Sequence, residues 1–284
     1  MKSVVHVYHR TAVTQDLVFI ESIMSQSASG PLFESDHPIF NNSQSSKTNE
    51  ETLDVTQIDS TLCNGLWGVQ CNQVFTEEEC QMIIEAAEAR GFEKALLNVG
   101  GGQQVLAEDN RKHLRVMVDD FRLAPEIFSR IKDALPKTFK GHSLVGLNER
   151  LRILKYHPGD FFRIHKDGTY ISKNGEVSKI TMLFYLNEGY EGGETTFYKL
   201  GTGDQVNLKV IPKIGMILLH DHRIDHGVPE LEKGVKYVIR TDVMYSELKV
   251  DSELKADSEL STKQAGHNKQ FNKRSEAKSP CSIM

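Results

Sequence analysis

His165 and Asp167 are separated by a single residue in the run YHPGDFFRIHKDG. Side chains at positions i and i+2 of a β-strand leave the same face, so this spacing predicts that the imidazole and the carboxylate point together. They would be two of the three ligands of a facial triad, which holds non-haem iron(II) and leaves positions open for a cosubstrate and oxygen. A His-x-Asp pair also arises often by chance, so the interpretation depends on a third ligand.

Three histidines compete for the third position in the later run LLHDHRIDHG, namely His220, His222 and His226. The second imidazole of a facial triad has to come from a later strand, and this run follows an apolar stretch that is typical of one. Each of the three is therefore a candidate, and the residues alone leave the choice open.

Lys236 and Arg240 lie on the same face of a predicted strand, VKYVIRTDVMY, that is otherwise mostly apolar. A cation on such a strand costs free energy to bury unless an anion meets it. The distal carboxylate of 2-oxoglutarate would be that anion, while its keto-acid end chelates the iron. Lys236 is the first candidate for this contact and Arg240 is the rival. The alternative is that Lys236 extends its ammonium group to solvent.

The elements that would position these side chains are short strands. Seven β-rich runs follow Leu151, separated by turn sequences such as HPGD, NEGYEGG, LGTGD and PKIG; the runs are LRILKY, FFRIHKD, KITMLFYLN, ETTFY, QVNLKV, GMILLH and VKYVIRTDVMY. Short strands at this spacing, without helices between them, predict a mainly β fold, either a sandwich or a jelly-roll barrel.

Two helices are predicted ahead of the strands. Thr76 and Glu79 form a capping box at the start of the first helix, and Gly91 follows its last turn. The second helix is predicted to have Pro125 at its first position and to end before Pro136. We expect both helices to pack on one face of the barrel.

Composition narrows the class of protein. The net charge is −5, so the chain offers no general reason to expect nucleic-acid binding. Of four cysteines, Cys63, Cys71 and Cys80 are clustered and Cys281 is near the end, which is a poor disulfide framework. No run approaches the roughly 18 apolar residues of a membrane helix, and the first residues lack the core of a signal peptide. These features are typical of a cytoplasmic protein, with access to the nucleus left open.

The stretch from Leu147 to Tyr245 resembles the catalytic domain of the prolyl 4-hydroxylase-like Fe(II)/2-oxoglutarate-dependent dioxygenases. The matching pieces are GLNERLRILKYHPGDFFRIHKDG, ITMLFYLNEGYEGGETTF, PKIGMILLHDH and DHGV…GVKYVIRTDVMY, which agree in order and spacing and cover about a third of the chain. The resemblance implies a double-stranded β-helix, that is, a cupin-like jelly roll.

Residue by residue, the resemblance implies that His165, Asp167 and His226 bind iron(II). One departure concerns the residue after the distal histidine. Related sequences commonly have an acidic residue and then glycine there, whereas Gly227 follows His226 directly. His222 is the alternative ligand.

The resemblance also implies contacts to the cosubstrate. Lys236 would bind the 5-carboxylate of 2-oxoglutarate, with Arg240 as the rival anchor. Tyr156 and Tyr185 would add hydroxyl contacts, and Thr195 is a weaker candidate for lining the same pocket.

The function implied is hydroxylation of a protein or peptide side chain, with proline the best single choice, and release of succinate and CO2 from 2-oxoglutarate and O2. Ascorbate is a candidate further cofactor. Three alternatives stay open: the same chemistry on another residue or on a small metabolite, a catalytically silent jelly roll that serves as a binding module, and a cupin-like enzyme that does not use 2-oxoglutarate. The last gives no reason for Lys236.

The domain organisation has three predicted parts. Residues 1–60 are predicted by composition to form a disordered leader, residues 61–246 the dioxygenase domain with a barrel core at about 147–245, and residues 247–284 a low-complexity tail. The tail ends in CSIM, which fits a C-a-a-X prenylation box at Cys281 beside a basic flank. A prenyl group there would give weak, reversible membrane association; a chance match is the alternative.

Overall fold

The structure, a computed structural model, describes residues 30–41, 53–100, 103–201 and 204–248. The chain divides into two units after Ser246. Residues 1–29 and 42–52 of the predicted leader lie outside the described residues. So do residues 249–284 of the predicted tail, which include the prenylation candidate Cys281. No helix in the described ranges is long and apolar enough to cross a membrane.

The helical elements of the described chain are α1 (Pro38–Asn41), α2 (Glu77–Arg90), α3 (Leu123–Ile131) and a 3-10 turn (Lys132–Ala134). The predicted capping box of α2 is confirmed. Thr76 Oγ1 accepts a hydrogen bond from the backbone N–H of Glu79 at 3.2 Å, and Glu79 Oε2 accepts one from the N–H of Thr76 at 2.9 Å. Two backbone donors at the start of the helix are thereby satisfied.

Helix α3 begins two residues before the predicted position. It starts at Leu123, and Pro125 lies within its first turn, where a missing N–H costs little. Asp120 explains the earlier start, because its Oδ1 accepts hydrogen bonds from the N–H groups of Arg122 and Leu123 at 3.0 and 2.9 Å. A carboxylate at this place caps the helix from outside.

Most strands belong to one large antiparallel sheet. Its members are β1 (Asp54–Gln57), β2 (Gly68–Asn72), β3 (Glu93–Lys94), β7 (Leu114–Asp119), β8 (Thr138–Phe139), β9 (His142–Leu147), β10 (Arg150–Tyr156), β12 (Val177–Tyr185), β16 (Ile217–Asp221) and β19 (Lys236–Glu247). The order is β1-β2-β16-β12-β19-β10-β7-β3, with β9 beside β19 and β8 beside β9.

A smaller antiparallel sheet has the order β15-β14-β17-β11-β6. Its strands are β6 (Arg111–Lys112), β11 (Phe161–His165), β14 (Thr195–Tyr198), β15 (Val206–Val210) and β17 (His226–Val228). Two short pairs complete the set, β4 (Leu97–Gly100) with β5 (Gln103–Val105) and β13 (Glu191–Gly192) with β18 (Leu231–Lys233). All seven predicted strand runs contain strands.

The large sheet has helices on one face and the small sheet on the other. Ile153 and Met182 belong to the same buried cluster as the apolar residues of α2 and α3. Their neighbours Leu154 and Leu183 point the opposite way and pack with Phe197 of the small sheet. The predicted jelly roll with helices packed on one face is confirmed, and its interior lies between the two sheets.

Parts of the predicted leader are folded onto this domain. Leu32, Phe33 and Ile39 are buried in the helix-side core, and the backbone N–H of Leu32 donates to Asp120 Oδ2 at 2.7 Å. Residues 54–57 form β1, which pairs with β2. The prediction of a disordered leader therefore does not hold for these segments, because their few apolar residues find partners that only the folded chain supplies.

Candidate metal and cosubstrate site

His165 and His226 are direct cross-strand partners at the ends of two adjacent strands of the small sheet, β11 and β17. Asp167 lies two residues beyond His165, just past the end of β11, where its backbone N–H donates to the carbonyl of His222 at 3.1 Å. One potential ligand atom from each of the three residues lies within 4.8 Å of the others. The structure thus brings together the three predicted iron ligands.

Both imidazoles are oriented by their own strands. His165 Nδ1 is 2.8 Å from the carbonyl oxygen of Arg163, and His226 Nδ1 is 3.0 Å from that of Ile224. A carbonyl oxygen only accepts, so each Nδ1 donates a proton and Nε2 is the nitrogen available to a metal. Burial lowers the pKa of His165 to about 3, which keeps that ring neutral at physiological pH. Both histidines therefore direct Nε2, and not Nδ1, toward a candidate metal.

Asp167 is held ionised inside the protein. Its Oδ1 accepts a hydrogen bond from Arg240 at 2.9 Å, and its Oδ2 accepts one from the Thr181 hydroxyl. Burial would raise the pKa of Asp167, but the positive charge of Arg240 holds it well below the usual value. The carboxylate thus retains a negative charge that a cation would meet.

The other two candidate histidines have different surroundings. His220 Nδ1 donates to the carbonyl of Asp221 at 3.0 Å, although its ring lies 4.6 Å from that of His226. His222 Nε2 lies 3.3 Å from an oxygen of Asp242. Within the described part of the chain, the three-residue cluster contains His226 and neither of these.

Gly227 gives a physical reason for the departure from the common pattern. A Cβ at this position would lie 2.9 Å from the backbone oxygen of Phe162 and 3.3 Å from the backbone of Arg163. A side chain directly after His226 would therefore require a shift of the backbone where β17 meets β11.

Lys236 is a buried cation without a carboxylate partner. Only 1% of the residue is exposed, and its Nζ donates to the carbonyl of Gly193 at 2.7 Å. The rings of Tyr156, Tyr185 and Tyr190 surround the ammonium at 5.2 to 5.9 Å. No carboxylate of the described residues lies within ion-pair distance of it, and burial lowers its pKa to about 7. Binding of an anion would therefore stabilise the charged form of Lys236.

The remaining predicted cosubstrate residues are placed around Lys236. Tyr156 is its direct cross-strand partner and lines the cavity that also contains the three candidate iron ligands. Thr195 lines the same cavity, whereas Tyr185 stands behind it and donates from its hydroxyl to Thr195 Oγ1 at 2.7 Å. Tyr185 therefore orients Thr195, a role that the sequence did not predict.

Arg240 also differs from its prediction as a rival anchor. It shares a strand face with Lys236 as expected, but its guanidinium contacts Asp167 at 2.9 Å and Asp242 at 3.0 Å. Its charge is already met by the carboxylates of Asp167 and Asp242. The structure makes it a partner of the metal-site aspartate, and Lys236 is the cation that lacks an anion.

These side chains open into one cavity of about 460 Å³ between the two sheets. Sequence reasoning missed several residues of its wall. Arg111, Arg152, Thr181 and Asp242 all line it. A signal existed for Arg152, because alternation along LRILKY places it on the same face as Tyr156. Arg111 lies in a polar stretch of sequence ahead of the barrel, and its strand β6 is too short to show a periodic pattern.

Comparison with known families confirms the resemblance. Residues 151–241 match the family model described as "2OG-Fe(II) oxygenase superfamily". This range contains His165, Asp167, His226, Lys236 and Arg240. Iron(II) and 2-oxoglutarate are thus the metal and cosubstrate that the family's own description names.

A curated relative, Prolyl 4-hydroxylase 1 of Arabidopsis thaliana, is 30% identical over 132 residues, which is 45% of this chain and 45% of the relative. The chain thus spans less than half the length of the curated relative that it matches. Two solved structures are similar to the chain. The viral collagen prolyl hydroxylase of Paramecium bursaria Chlorella virus-1 in complex with 2-oxoglutarate has 17% identity and a TM-score of 0.44, with 65% of this chain and 98% of that one covered. A prolyl hydroxylase of Trichoplax adhaerens with a hypoxia-inducible-factor peptide has 17% identity and a TM-score of 0.45, with 84% and 94% covered.

Proposed function

We propose that this chain is an iron(II)- and 2-oxoglutarate-dependent dioxygenase that hydroxylates a side chain of a protein or peptide, with proline as the target residue. One observation carries the proposal: the candidate ligand atoms of His165, Asp167 and His226 and the unpaired ammonium of Lys236 open into the same cavity. A metal-binding function alone would not explain the buried lysine.

The donor set fits iron(II). Two neutral imidazoles and one carboxylate form the facial arrangement that leaves positions open for other ligands. The second nitrogen of each imidazole is fixed by a backbone carbonyl, as is usual for metal-binding histidines. His165, Asp167 and His226 would hold the metal, while Arg240 and Thr181 keep the carboxylate oriented and charged.

The surroundings of Lys236 fit the distal carboxylate of 2-oxoglutarate. The ammonium would donate to that carboxylate, and the hydroxyl groups of Tyr156 and Thr195 lie on the same cavity wall. When bound, iron(II) and 2-oxoglutarate supply an oxidative decarboxylation in which one atom of O2 enters succinate, the other is inserted into a C–H bond of the substrate, and CO2 leaves. Ascorbate is proposed as a supporting reductant.

The chain's own contribution is to position the reactants and to exclude water. Leu154, Leu183 and Val238 form the apolar wall between the lysine and the aspartate. A dry wall strengthens the interaction between Lys236 and an anion, because the local dielectric constant is low. It also limits the escape of a reactive species into solvent.

The prolyl target rests on the name of the curated relative, a prolyl 4-hydroxylase. The loops at the mouth of a jelly roll select the substrate, and the metal-site residues do not constrain them. The substrate search must therefore also be able to detect oxidation of another residue type or of a small metabolite.

The test begins with protein purified without oxygen. Addition of iron(II) and then 2-oxoglutarate should produce a metal-to-ligand charge-transfer band, and admission of oxygen should produce succinate. His165→Ala should abolish both, whereas His142→Ala, which changes a histidine outside the cavity, should leave both intact. Equal behaviour of wild type and His165→Ala would refute the enzyme assignment. Mass spectrometry of peptide and metabolite pools for a gain of one oxygen would then identify the substrate.

A further inference from the structure

The wall of the cavity carries more positive than negative charge. Five cationic side chains and two carboxylates line it: Arg111, Arg152, Lys166, Lys236 and Arg240 against Asp167 and Asp242. Iron(II) and the 2-oxoglutarate dianion carry equal and opposite charges, so bound together they leave this excess unchanged. A third component that carries negative charge would complete the site electrostatically.

Three of the five cations have partners or an assigned role. Lys236 faces the proposed site of the cosubstrate carboxylate. Arg240 contacts two carboxylates, as described above. Lys166, at the exposed rim, lies 3.6 Å from Asp225. The excess therefore resides on the two remaining arginines.

Arg152 is the one of these two whose buried terminal nitrogen, Nη1, lacks a hydrogen-bond partner among the described residues. Its nearest carboxylate, Asp242, is 3.8 Å away and makes shorter contacts with Arg240 and His222. Arg111 also has a buried Nε without a partner among the described residues, but its terminal nitrogens contact the carbonyl of Leu96 and the ring of His113, and its guanidinium lies over the ring of Phe162. Burial, with Arg240 nearby, lowers the pKa of Arg152 to about 10, so the arginine stays charged at physiological pH.

The cosubstrate has no carboxylate to spare for Arg152 if it is anchored on Lys236. Strands β10 and β19 pair Tyr156 with Lys236 at one end and Arg152 with Arg240 at the other. Four residues of strand separate these ends by about 13 Å. A five-carbon diacid anchored on Lys236 would use its other carboxylate on the metal beside Asp167, so neither carboxylate is left for Arg152. The Arg152 end is thus left for the molecule that is oxidised.

We infer that Arg152 binds a carboxylate of the substrate, namely an aspartate or glutamate side chain close to the target residue of a peptide. This inference rests on the proposed function and adds the substrate's charge to it. The geometry favours a peptide over a small acid, because Tyr170 lines the cavity and is also 47% exposed. The rim therefore continues onto the outer surface, where a longer chain would lie.

The test uses capped peptides with a central proline and, at each flanking position in turn, glutamate, glutamine or lysine. Binding is measured by fluorescence anisotropy without oxygen, in the presence of iron(II) and 2-oxoglutarate. At one position we expect the glutamate peptide to bind about tenfold more tightly than its glutamine counterpart, since a partly exposed charge pair lies between surface and buried cases. Arg152→Gln should remove this preference, and Arg152→Glu should transfer it to the lysine peptide.

The matched control is Arg150→Gln. It removes the same charge from the same strand, two residues away, where Arg150 pairs with Asp119 outside the cavity, and it should keep the glutamate preference. Wild type that binds all three peptides alike, or Arg152→Gln that still prefers glutamate, would overturn the inference. So would free N-acetylglutamate that binds while no peptide does, because the substrate would then be a small acid.

The charge-transfer band separates this inference from the proposed function. A missing band in wild type would defeat the dioxygenase assignment itself. A normal band in wild type and in Arg152→Gln, without any charge preference among the peptides, would defeat only the role of Arg152.

Discussion

The two ends of the β10–β19 strand pair contain similar residues in opposite electrostatic states. At the Arg240 end, the guanidinium contacts Asp167 and Asp242 before any ligand binds. At the Lys236 end, a fully buried ammonium faces three aromatic rings and no carboxylate of the described chain. At the first end, Arg240 has its carboxylate partners within the protein. The second is incomplete, and we infer that an anionic cosubstrate completes it.

This difference shows that a cation on a strand face does not identify a ligand-binding residue by itself. The two cations are four residues apart on one strand, and their partners decide their roles. A paired cation stabilises the fold and orients its carboxylate, whereas an unpaired one costs free energy that a ligand can recover.

The largest expected effect follows from removing the paired cation. Arg240→Met leaves two buried carboxylates without their main partner, so the free energy of unfolding should fall by about 3–5 kcal/mol. Urea denaturation of the metal-free protein measures this. Lys236→Met is the matched control, because it removes a cation from the same strand face and should leave the free energy of unfolding unchanged or higher. Similar losses in the two variants would contradict the contrast between the ends.

The next effect concerns the cosubstrate. Lys236→Met should weaken 2-oxoglutarate binding by about 2–4 kcal/mol, because a charge pair in a dry site is lost, while iron(II) affinity stays the same. Anaerobic titration of the charge-transfer band gives both values. Lys233→Met, which changes an exposed lysine paired with Glu191, serves as control. If Lys236→Met bound the cosubstrate normally, the anchor would have to be reassigned.

The sequence predicted most of the fold and only part of this contrast. Alternating apolar residues and the turn sequences between them were sufficient to predict strands β10, β12 and β19. They were not sufficient for β17, whose three residues are too few to show a period. The folded segments near Leu32 and Val55 could not be predicted from local sequence, because the residues that they pack against or pair with lie elsewhere in the chain.

In the site, strand parity brought His165 and Asp167 together correctly, although Asp167 lies just beyond the strand. The choice of His226 over its neighbours depends on the pairing of β17 with β11, which local sequence does not encode. The role of Arg240 was not predictable either, because its partner Asp167 lies 73 residues earlier in the chain.

A third prediction concerns pH. The pKa of Lys236 is about 7 in the folded protein and 10.5 as its ordinary value, so between these pH values the unfolded state binds more protons. The free energy of unfolding should therefore rise with pH above 7, by at most about 1.4 kcal/mol per pH unit from this group. Below pH 7 both states are protonated and the full cost of the buried charge remains.

Comparison with Lys236→Met isolates this contribution. Denaturation at pH 7.0, 7.75 and 8.5 should show the variant's stability advantage shrinking as pH rises, by about 1–2 kcal/mol over the range. Saturating 2-oxoglutarate should suppress the rise of wild-type stability with pH, because the bound carboxylate keeps Lys236 protonated. Parallel pH profiles for wild type and variant would show that Lys236 keeps its ordinary pKa.

The smallest expected effect tests how completely the Arg240 end is organised. Thr181→Val removes one hydrogen bond to Asp167 Oδ2 and leaves the Arg240 contact on Oδ1 in place. A hydrogen bond to a metal-binding group contributes about tenfold to metal affinity, so iron(II) should bind about tenfold more weakly. Thr196→Val, which loses hydrogen bonds with the Glu194 carbonyl and Tyr198 and none with the candidate ligands, is the control. Equal iron affinity in both variants would mean that Arg240 alone fixes the carboxylate, because a second hydrogen bond that orients the ligand has to appear in the affinity.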